Sequence, residues 1–405
     1  MPNTALQQKV VRTLASAQVL NGIGVAGTVA AGSLLVSSIT DSETLAGLAQ
    51  TSAVLGAAAL ALPLARLTAI GGRRLALSVG YASGVVGSIF AILGGSHRNL
   101  FFMLLGTFLV GAASAAGYQA RFAAIDLATN ETRAKQLSFV VWGSTIGAVA
   151  GPNLMDPAGN LAEALNLPRL VGPYLISAAT LFFAMVVIQI FLRPDPYLTA
   201  EKQAAVKQQK GSTKKALTHI RSNPKALFAI SAIAIGHVAM VSVMVMTPIH
   251  MKHVDVSLRI IGFVISVHVL GMYAFSPIIG SLSDRLGRVR VIQIGLVILL
   301  LSTIVAGTAQ ASNAYQLGIG LFLLGLGWSC TLIGGSAYLS ESVSLEMRPA
   351  SQGASDLVMN LAGAGGGAIA GVIIGTLSYG WLCLFAAIPV IALGFLSRKV
   401  HLPNA

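Results

Sequence analysis

The sequence has little charge for its length. Only 10% of its 405 residues are Asp, Glu, Lys or Arg, against roughly 25% in an ordinary soluble domain. Hydrophobic residues make up 55% of the chain. A soluble fold of this length would need a charged surface, which this composition cannot supply. The outer surface must therefore face lipid, and we predict an all-α membrane protein.

Acidic residues and cysteines are the scarcest of the chemically active types. There are 13 Asp and Glu against 26 Lys and Arg, and two cysteines, Cys330 and Cys383. Both cysteines lie in apolar stretches without metal-ligand spacing, so neither a disulfide framework nor a metal site is predicted. No nucleophile–base pair or phosphate-binding loop is recognisable. We predict no enzyme activity and no cofactor.

Long apolar runs dominate what remains. A membrane-spanning helix needs roughly 20 predominantly apolar residues, and twelve segments meet that requirement. The predicted spans are 13–38, 45–66, 75–95, 100–124, 134–155, 170–192, 226–249, 259–282, 291–309, 315–339, 350–376 and 378–397.

The basic residues predict how these spans are threaded, because Lys and Arg concentrate in cytoplasmic loops. If the N-terminus is cytoplasmic, the outward loops hold only Arg98, Arg169, Lys252 and Arg259. All other Lys and Arg then lie in inward loops, at inner helix ends or at the termini. We therefore expect both termini in the cytoplasm. The net charge of +13 is explained by this bias, so no nucleic-acid partner is predicted.

A basic stretch divides the spans into two sets of six. The segment from Arg193 to Lys225 carries eight Lys/Arg against two acidic residues. We expect a cytoplasmic linker at 194–224 between an N-terminal six-helix bundle at 1–193 and a C-terminal one at 225–405. A strap along the lipid headgroups explains its charge, and a regulatory role stays open.

The two halves have features of an internal repeat. When the first half is shifted by 215 residues, four features of it coincide with features of the second half. The coinciding pairs are Gly72-Arg73 with Gly287-Arg288, Asp126 with Glu341, Arg133 with Arg348, and Gly151 with Gly366. We expect two pseudo-symmetric bundles.

One loop carries the most specific motif in the chain. It reads Gly280-Ser-Leu-Ser-Asp284-Arg285-Leu-Gly287-Arg288-Val-Arg290 and resembles the signature loop of the major facilitator superfamily, G-x-L-x-D-R-x-G-R-[RK]. The resemblance extends over the whole chain and implies twelve helices in two bundles.

In that superfamily the loop is a cytoplasmic gate. The resemblance implies that Asp284 meets the N-terminal end of a helix from the other half, where free N–H groups favour an anion. It also implies that the loop arginines pair with Glu341. The gate residues so implied are Gly280, Asp284, Arg285, Gly287, Arg288, Glu341, Arg348, Asp126 and Arg133. The first-half copy has Ala69 in place of the aspartate, so we expect a stronger lock on the Asp284 side.

A second motif lies in the fifth span, where Gly143-Ser-Thr-Ile-Gly147-Ala-Val-Ala-Gly151-Pro152-Asn153 resembles the glycine–proline motif of drug:proton antiporters in this superfamily. Gly147, Gly151 and Pro152 are its key residues. Close helix packing by small residues is the alternative explanation.

Ionisable groups inside spans are costly and therefore point to function. Asp356 is the only carboxylate well inside a predicted span, and we expect it to bind and release a proton. Arg121 could hold an anionic substrate, pair with Asp356, or anchor its helix at the inner membrane surface. The other candidates are His237, His268, Gln119 and Asn21. A structural ion pair for Asp356 and interhelical hydrogen bonds for the histidines are the alternatives.

These observations predict a secondary transporter of small organic solutes that works by alternating access. Proton-coupled efflux is the first hypothesis, and proton-coupled uptake or exchange of a specific metabolite is the alternative. The sequence lacks an arginine near Thr107 that the exporters usually carry, which keeps the alternative open. We expect a monomer in the plasma membrane, with protons, lipid and a small molecule as its partners.

Overall fold

The computed structural model describes residues 4–42, 45, 47–204, 218, 220–252 and 256–400, and within these ranges the regular structure is helical, without strands. The helices are α1 (Thr4–Thr40), α2 (Leu48–Ser96), α3 (Leu100–Ala123), α4 (Arg133–Asn153), α5 (Met155–Ala164), α6 (Gly172–Phe191), α7 (Pro196–Gln203), α8 (Pro224–Lys252), α9 (Leu258–Tyr273), α10 (Ser276–Leu286), α11 (Arg288–Gly307), α12 (Ala314–Ser342), α13 (Arg348–Thr376) and α14 (Tyr379–Val400).

Ten helical segments among the described residues are long and apolar enough to cross a membrane. The pair α4 and α5, bent by 60° at the break between them, adds an eleventh. The 49 residues of α2 would extend about 74 Å at the α-helical rise, more than twice the thickness of a hydrocarbon core. Gly72 interrupts α2 with a non-helical backbone at φ +83°. With α2 counted as two spans, the described helices provide the twelve predicted spans.

The break at Gly72 differs from what the sequence predicts. We expected a loop between the second and third spans, and the structure has a single residue of left-handed φ within one long helix. Glycine adopts that conformation without the steric cost that other residues incur. Gly287, at φ +96°, does the same between α10 and α11.

The chain forms two compact units. One comprises Met1–Thr129, Phe139–Thr213 and Leu345–Leu357, and the other comprises Asn130–Ser138, Lys214–Ser344 and Val358–Ala405. In the first unit, α2 packs along α3 and α6, and α1 packs against α6. In the second unit, the largely buried α12 packs against α8, α9 and α11, and α14 packs against α8 and α11. The predicted bundle limits at 193 and 225 stay a prediction.

Asparagine side chains begin a helix at corresponding places in the two units. Asn99 accepts a hydrogen bond from the backbone N–H of Phe102 at the start of α3. Asn313 does the same for Gln316 at the start of α12. Such capping satisfies N–H groups that have no partner within the helix.

Small residues bring α1 and α4 into backbone contact within the first unit. A methyl group added at Gly22 would lie 3.0 Å from the Cα atom of Gly147, and one added at Gly143 would lie 2.9 Å from the carbonyl oxygen of Ala15. Gly151 approaches the backbone of Gly27 one turn further along. The glycine motif of the fifth span is therefore a helix-packing seam, as small residues are in many membrane helices. The side chain of Pro152 lies outside the described residues.

We predict that Gly147→Ala lowers the free energy of unfolding by about 1–3 kcal/mol, because the methyl group would force α1 and α4 apart. The matched control is Gly262→Ala on α9, where an added methyl group meets no atom within 4 Å. By helix propensity alone both changes should stabilise. Thermal unfolding of the detergent-purified variants measures the difference, and equal stability of the two variants would contradict the seam.

Candidate functional site: paired charges on repeated and membrane-embedded positions

A buried ion pair stabilises the break in α2. The Arg73 guanidinium donates to both carboxylate oxygens of Asp126, with Nε 2.7 Å from Oδ2 and Nη2 3.0 Å from Oδ1. Their side chains are 1% and 0% exposed. Arg73 directly follows Gly72, and Asp126 lies in the turn that follows α3. The two-point geometry matches the planar fork of arginine to a carboxylate, an arrangement that lysine cannot reproduce.

The second unit has the corresponding pair, 215 residues later. Arg288 follows Gly287, and its Nε and Nη2 atoms lie 3.0 Å and 2.8 Å from Oε1 of Glu341. Arg288 also contacts the Asp284 carboxylate at 2.7 Å. The positive-φ glycine, the arginine and the acid thus coincide in the structure as they do in the sequence. This geometric correspondence supports the internal repeat.

Asp284 caps a helix, which is the contact implied by the resemblance. Its carboxylate accepts hydrogen bonds from the backbone N–H groups of Ala134 at 3.0 Å and Lys135 at 2.8 Å, at the start of α4. These three residues lie in the second unit. An anion at this position is favoured by the free N–H groups and the helix dipole. Gly280 permits the close approach, because an added methyl group would meet the carbonyl oxygen of Ala134 at 2.6 Å.

In the first unit, the corresponding arginine has a neutral partner, because this unit has no aspartate at the position that corresponds to Asp284. Arg73 Nη2 donates to the side-chain oxygen of Gln352 on α13 at 2.7 Å. Arg348, at the start of α13, acts electrostatically on Asp126, much as Arg133 at the start of α4 lies 3.6 Å from Glu341. Gln352 is a neutral acceptor, so the unit carries one charge fewer at this point.

Among the described residues, Arg285 makes none of the contacts that join the other charged residues of the implied gate. Its side chain is exposed, and it has no ion pair within the described residues. The remaining gate residues form contacts within their own unit. The gating role itself stays a proposal.

The structure adds Asp195, which sequence reasoning did not select. One of its carboxylate oxygens accepts from the backbone N–H groups of Tyr197 and Leu198, capping α7 at 3.0 and 3.2 Å. The other accepts from the N–H group of Arg74 at 2.8 Å. Aspartate before proline is a helix-start signal, but its second bond joins residues 121 positions apart. The beginning of the linker is therefore held against the break in α2.

A second buried ion pair lies within the apolar part of the first unit. Arg121 on α3 donates from Nη2 to Oδ1 of Asp356 on α13 at 2.6 Å, and the side chains are 2% and 0% exposed. Arg121 Nη1 also donates to the carbonyl oxygen of Tyr118. Its guanidinium lies 4.5 Å from the ring centre of Phe122, a cation–π contact. Of the alternatives for Arg121, the structure has the pair with Asp356, and its guanidinium is buried.

Asp356 and Gln352 are four residues apart on α13, so they share one face of that helix. That face meets one arginine at each level, Arg73 at Gln352 and Arg121 at Asp356. Buried charges require such partners, because removing one member of a buried pair leaves an uncompensated charge.

The two histidines form different contacts in the second unit. His237 Nδ1 accepts a hydrogen bond from the indole Nε1 of Trp328 at 3.1 Å. Since tryptophan can only donate, this bond requires Nδ1 without a proton. His268 Nδ1 lies 2.7 Å from the carbonyl oxygen of Leu321. Both contacts match the interhelical hydrogen bonds considered as the alternative for these residues.

The uncharged candidates, Gln119 and Asn21, lie at contacts between helices. Gln119 donates to the carbonyl oxygen of Ala61 at 2.9 Å and so joins α3 to α2. Asn21 on α1 is buried and approaches Gly117 of α3. The described residues contain no group of three or more His, Cys, Asp or Glu side chains that could hold a metal ion.

A known protein family matches most of this chain. The family model described as Major Facilitator Superfamily matches residues 14–257 and 228–404. The chain belongs to the major facilitator superfamily. Twelve helices in two bundles are the fold of that superfamily, so the predicted fold class is confirmed.

Relatives within the superfamily are transporters. The chain is 34% identical over 386 residues to the MFS-type transporter YdeG of Bacillus subtilis (strain 168), covering 95% of this chain and 90% of the relative. It is 27% identical over 358 residues to the riboflavin transporter RfnT of Brucella anthropi, covering 88% and 86%. The protein is thus a multi-pass membrane transporter of small solutes and not an enzyme.

Solved structures of the superfamily share the fold. The fucose:proton symporter FucP of E. coli superposes with a TM-score of 0.73 at 14% identity, covering 97% of this chain and 98% of that one. The human organic anion transporter MFSD10 also gives 0.73 at 14% identity, covering 96% and 99%. At this level of identity the likeness concerns the fold alone.

We predict that Asp195→Ala accelerates amide hydrogen exchange of α7 about tenfold, because losing an N-cap costs about 1 kcal/mol or more. Asp195→Asn is the matched control, since its side-chain oxygen still accepts from an N–H group. Hydrogen-exchange mass spectrometry of the Tyr197–Gln203 segment gives the rates. Unchanged exchange in Asp195→Ala would show that the carboxylate does not hold the linker.

Proposed function

We propose that this transporter is proton-coupled and that the Arg121–Asp356 pair is its coupling site. The supporting observation is a carboxylate and a guanidinium 2.6 Å apart, both buried inside apolar helices. Asp356 lies about two turns into α13, away from the polar helix end. Intramembrane ionisable residues are costly and are retained mainly where they serve transport.

The chemistry follows from charge balance. While Asp356 is ionised, the pair is neutral as a whole and its cost of burial is reduced. A proton on Asp356 cancels that balance and leaves the Arg121 cation without its anion. The cation then attracts another anionic group. Protonation of Asp356 and binding of an anionic solute group at Arg121 therefore favour each other, which is thermodynamic coupling.

Export is the first candidate for the direction of transport. Its support is the resemblance of the Gly143–Asn153 segment to the antiporter motif. In this structure the segment packs α4 against α1 through Gly22 and Gly147. The motif therefore has a packing role whichever direction the solute moves.

Uptake or exchange of one metabolite is the second candidate, and the ion pair favours it. The charge balance described above makes a proton and an anionic group bind together, and they would then travel in the same direction. The relationship to a protein named riboflavin transporter also favours a single metabolite as cargo. Organic anions are the first solutes to test for this coupling, with riboflavin and amphipathic cations beside them.

The membrane placement is part of the same proposal. We place both termini in the cytoplasm and the chain in the plasma membrane as a monomer. The clustering of Lys and Arg at inner helix ends supports this orientation. Arg73 and Arg288, which directly follow the two glycines with positive φ, lie on this predicted inner side. Reporter tags after Arg193 and at the termini test it, and an external tag after Arg193 would reverse the orientation.

We predict that Asp356→Asn reduces transport driven by a pH gradient at least tenfold while leaving solute exchange without a gradient measurable, because the amide cannot carry the proton. Proteoliposomes with an imposed pH gradient measure both activities. Whether solute accumulates in the acidic or the alkaline compartment also gives the direction. Asp41→Asn, a change of an 83% exposed carboxylate, is the matched control.

A second variant separates coupling from folding. Losing one partner of a buried pair costs about 3–5 kcal/mol, whereas removing both charges can be neutral. Arg121→Met combined with Asp356→Leu should therefore fold and still fail to respond to the pH gradient. If this double variant restores gradient-driven transport, the pair is only structural and the proposal is wrong.

A further inference from the structure

A groove with one charged end lies between α11 and α14 in the second unit. It has a cavity volume of about 450 Å³, within the range of small-molecule sites. Leu296, Val297, Leu300, Val390, Ile391 and Phe395 form its apolar wall. Several of these side chains are also exposed, with Val297 at 56% and Phe395 at 62%. In a membrane protein such a surface faces hydrocarbon.

The groove is open because a side chain is missing from one wall. Gly394 lines it, and a methyl group added at Gly394 would meet no atom within 4 Å. The glycines of the α1–α4 seam have the opposite environment, since a methyl group there would meet backbone. Gly394 therefore leaves room for a molecule from outside the protein, whereas the seam glycines allow two helices of the protein to touch.

Polar groups gather at one end of the groove only. Gln293 donates to the Ser397 hydroxyl at 3.1 Å, and Arg398 lines the same end. Arg398 stacks on Phe395 at 5.4 Å, and no carboxylate pairs with it within the described residues. Arg290 lies one turn before Gln293 on the same face of α11. Among the described residues, this end is thus cationic without a compensating carboxylate.

We propose that this groove binds one anionic phospholipid, with its phosphate at Arg398 and an acyl chain along Gly394. Charge complementarity selects the occupant, since a guanidinium offers two parallel donors to a phosphate. Basic pockets between membrane helices on the cytoplasmic side bind anionic headgroups in this way. The apolar wall accounts for the acyl chain, and Gln293 and Ser397 make the end beside Arg398 polar.

The test is native mass spectrometry of the full chain with phosphatidylglycerol or with phosphatidylcholine of the same acyl chains. The parent should retain phosphatidylglycerol in preference. Arg398→Gln should weaken that retention about tenfold, as expected for the loss of a charged hydrogen bond, and leave phosphatidylcholine unchanged. Arg12→Gln, another exposed cation expected at the inner surface, is the matched control.

Gly394→Phe tests the apolar half of the site by filling the groove, with Gly262→Phe as the control at an open position outside it. It should lower phosphatidylglycerol retention, while the control should not. Equal retention of both lipids by the parent and Arg398→Gln would overturn the proposal, as would full retention by Gly394→Phe. A parent dimer that Gly394→Phe converts to a monomer would show that a second copy occupies the groove, and would also overturn it.

Discussion

Hydrocarbon offers no partner to a charged side chain, and this constraint accounts for where the charges of this protein lie. Four buried arginines among the described residues, Arg73, Arg121, Arg133 and Arg288, each lie against a carboxylate. The cost of an isolated charge in a low-dielectric medium is several kcal/mol or more, so each pair holds together the segments that carry its members. The arginines thus connect elements that are far apart in the sequence, such as α3 and α13.

Two of these pairs are copies of one design. In each copy, a glycine with positive φ allows the chain to turn, and the next residue is an arginine. This arginine forms an ion pair with an acidic residue 53 positions later. The copies differ in their third partner. Arg288 adds the carboxylate of Asp284, which also caps α4, whereas Arg73 adds the neutral Gln352. The stronger lock expected on the Asp284 side stays a prediction, and this difference between the copies supports it.

The sequence was informative wherever the signal was local or periodic. Apolar run length predicted the twelve spans, and the 215-residue offset predicted which arginines and acids correspond. Arg121 and Asp356 could be singled out because lone charges in apolar runs are conspicuous. Their pairing was one of three possibilities, since a contact between residues 235 positions apart leaves no local trace.

Other features had a signal that was incomplete. Asp195 is recognisable as a helix cap, but its bond to the Arg74 amide depends on the fold. Trp328 resembles any aromatic residue of a membrane helix until His237 is seen beside it. Glycines were the most ambiguous, because the same residue type allows helix contact at Gly147, a turn at Gly72 and an open groove at Gly394. Only the neighbours of each glycine distinguish these uses.

We infer that charges buried among these helices are stable only as pairs. Charge inversion is the test: Arg121→Asp combined with Asp356→Arg rebuilds the pair with its members exchanged, and thermal unfolding in detergent compares this double variant with each single change. Both single variants should unfold far below the parent, and the inverted pair should recover much of the loss. An inverted pair no more stable than the single variants, or single variants as stable as the parent, would show that these charges do not depend on their partners.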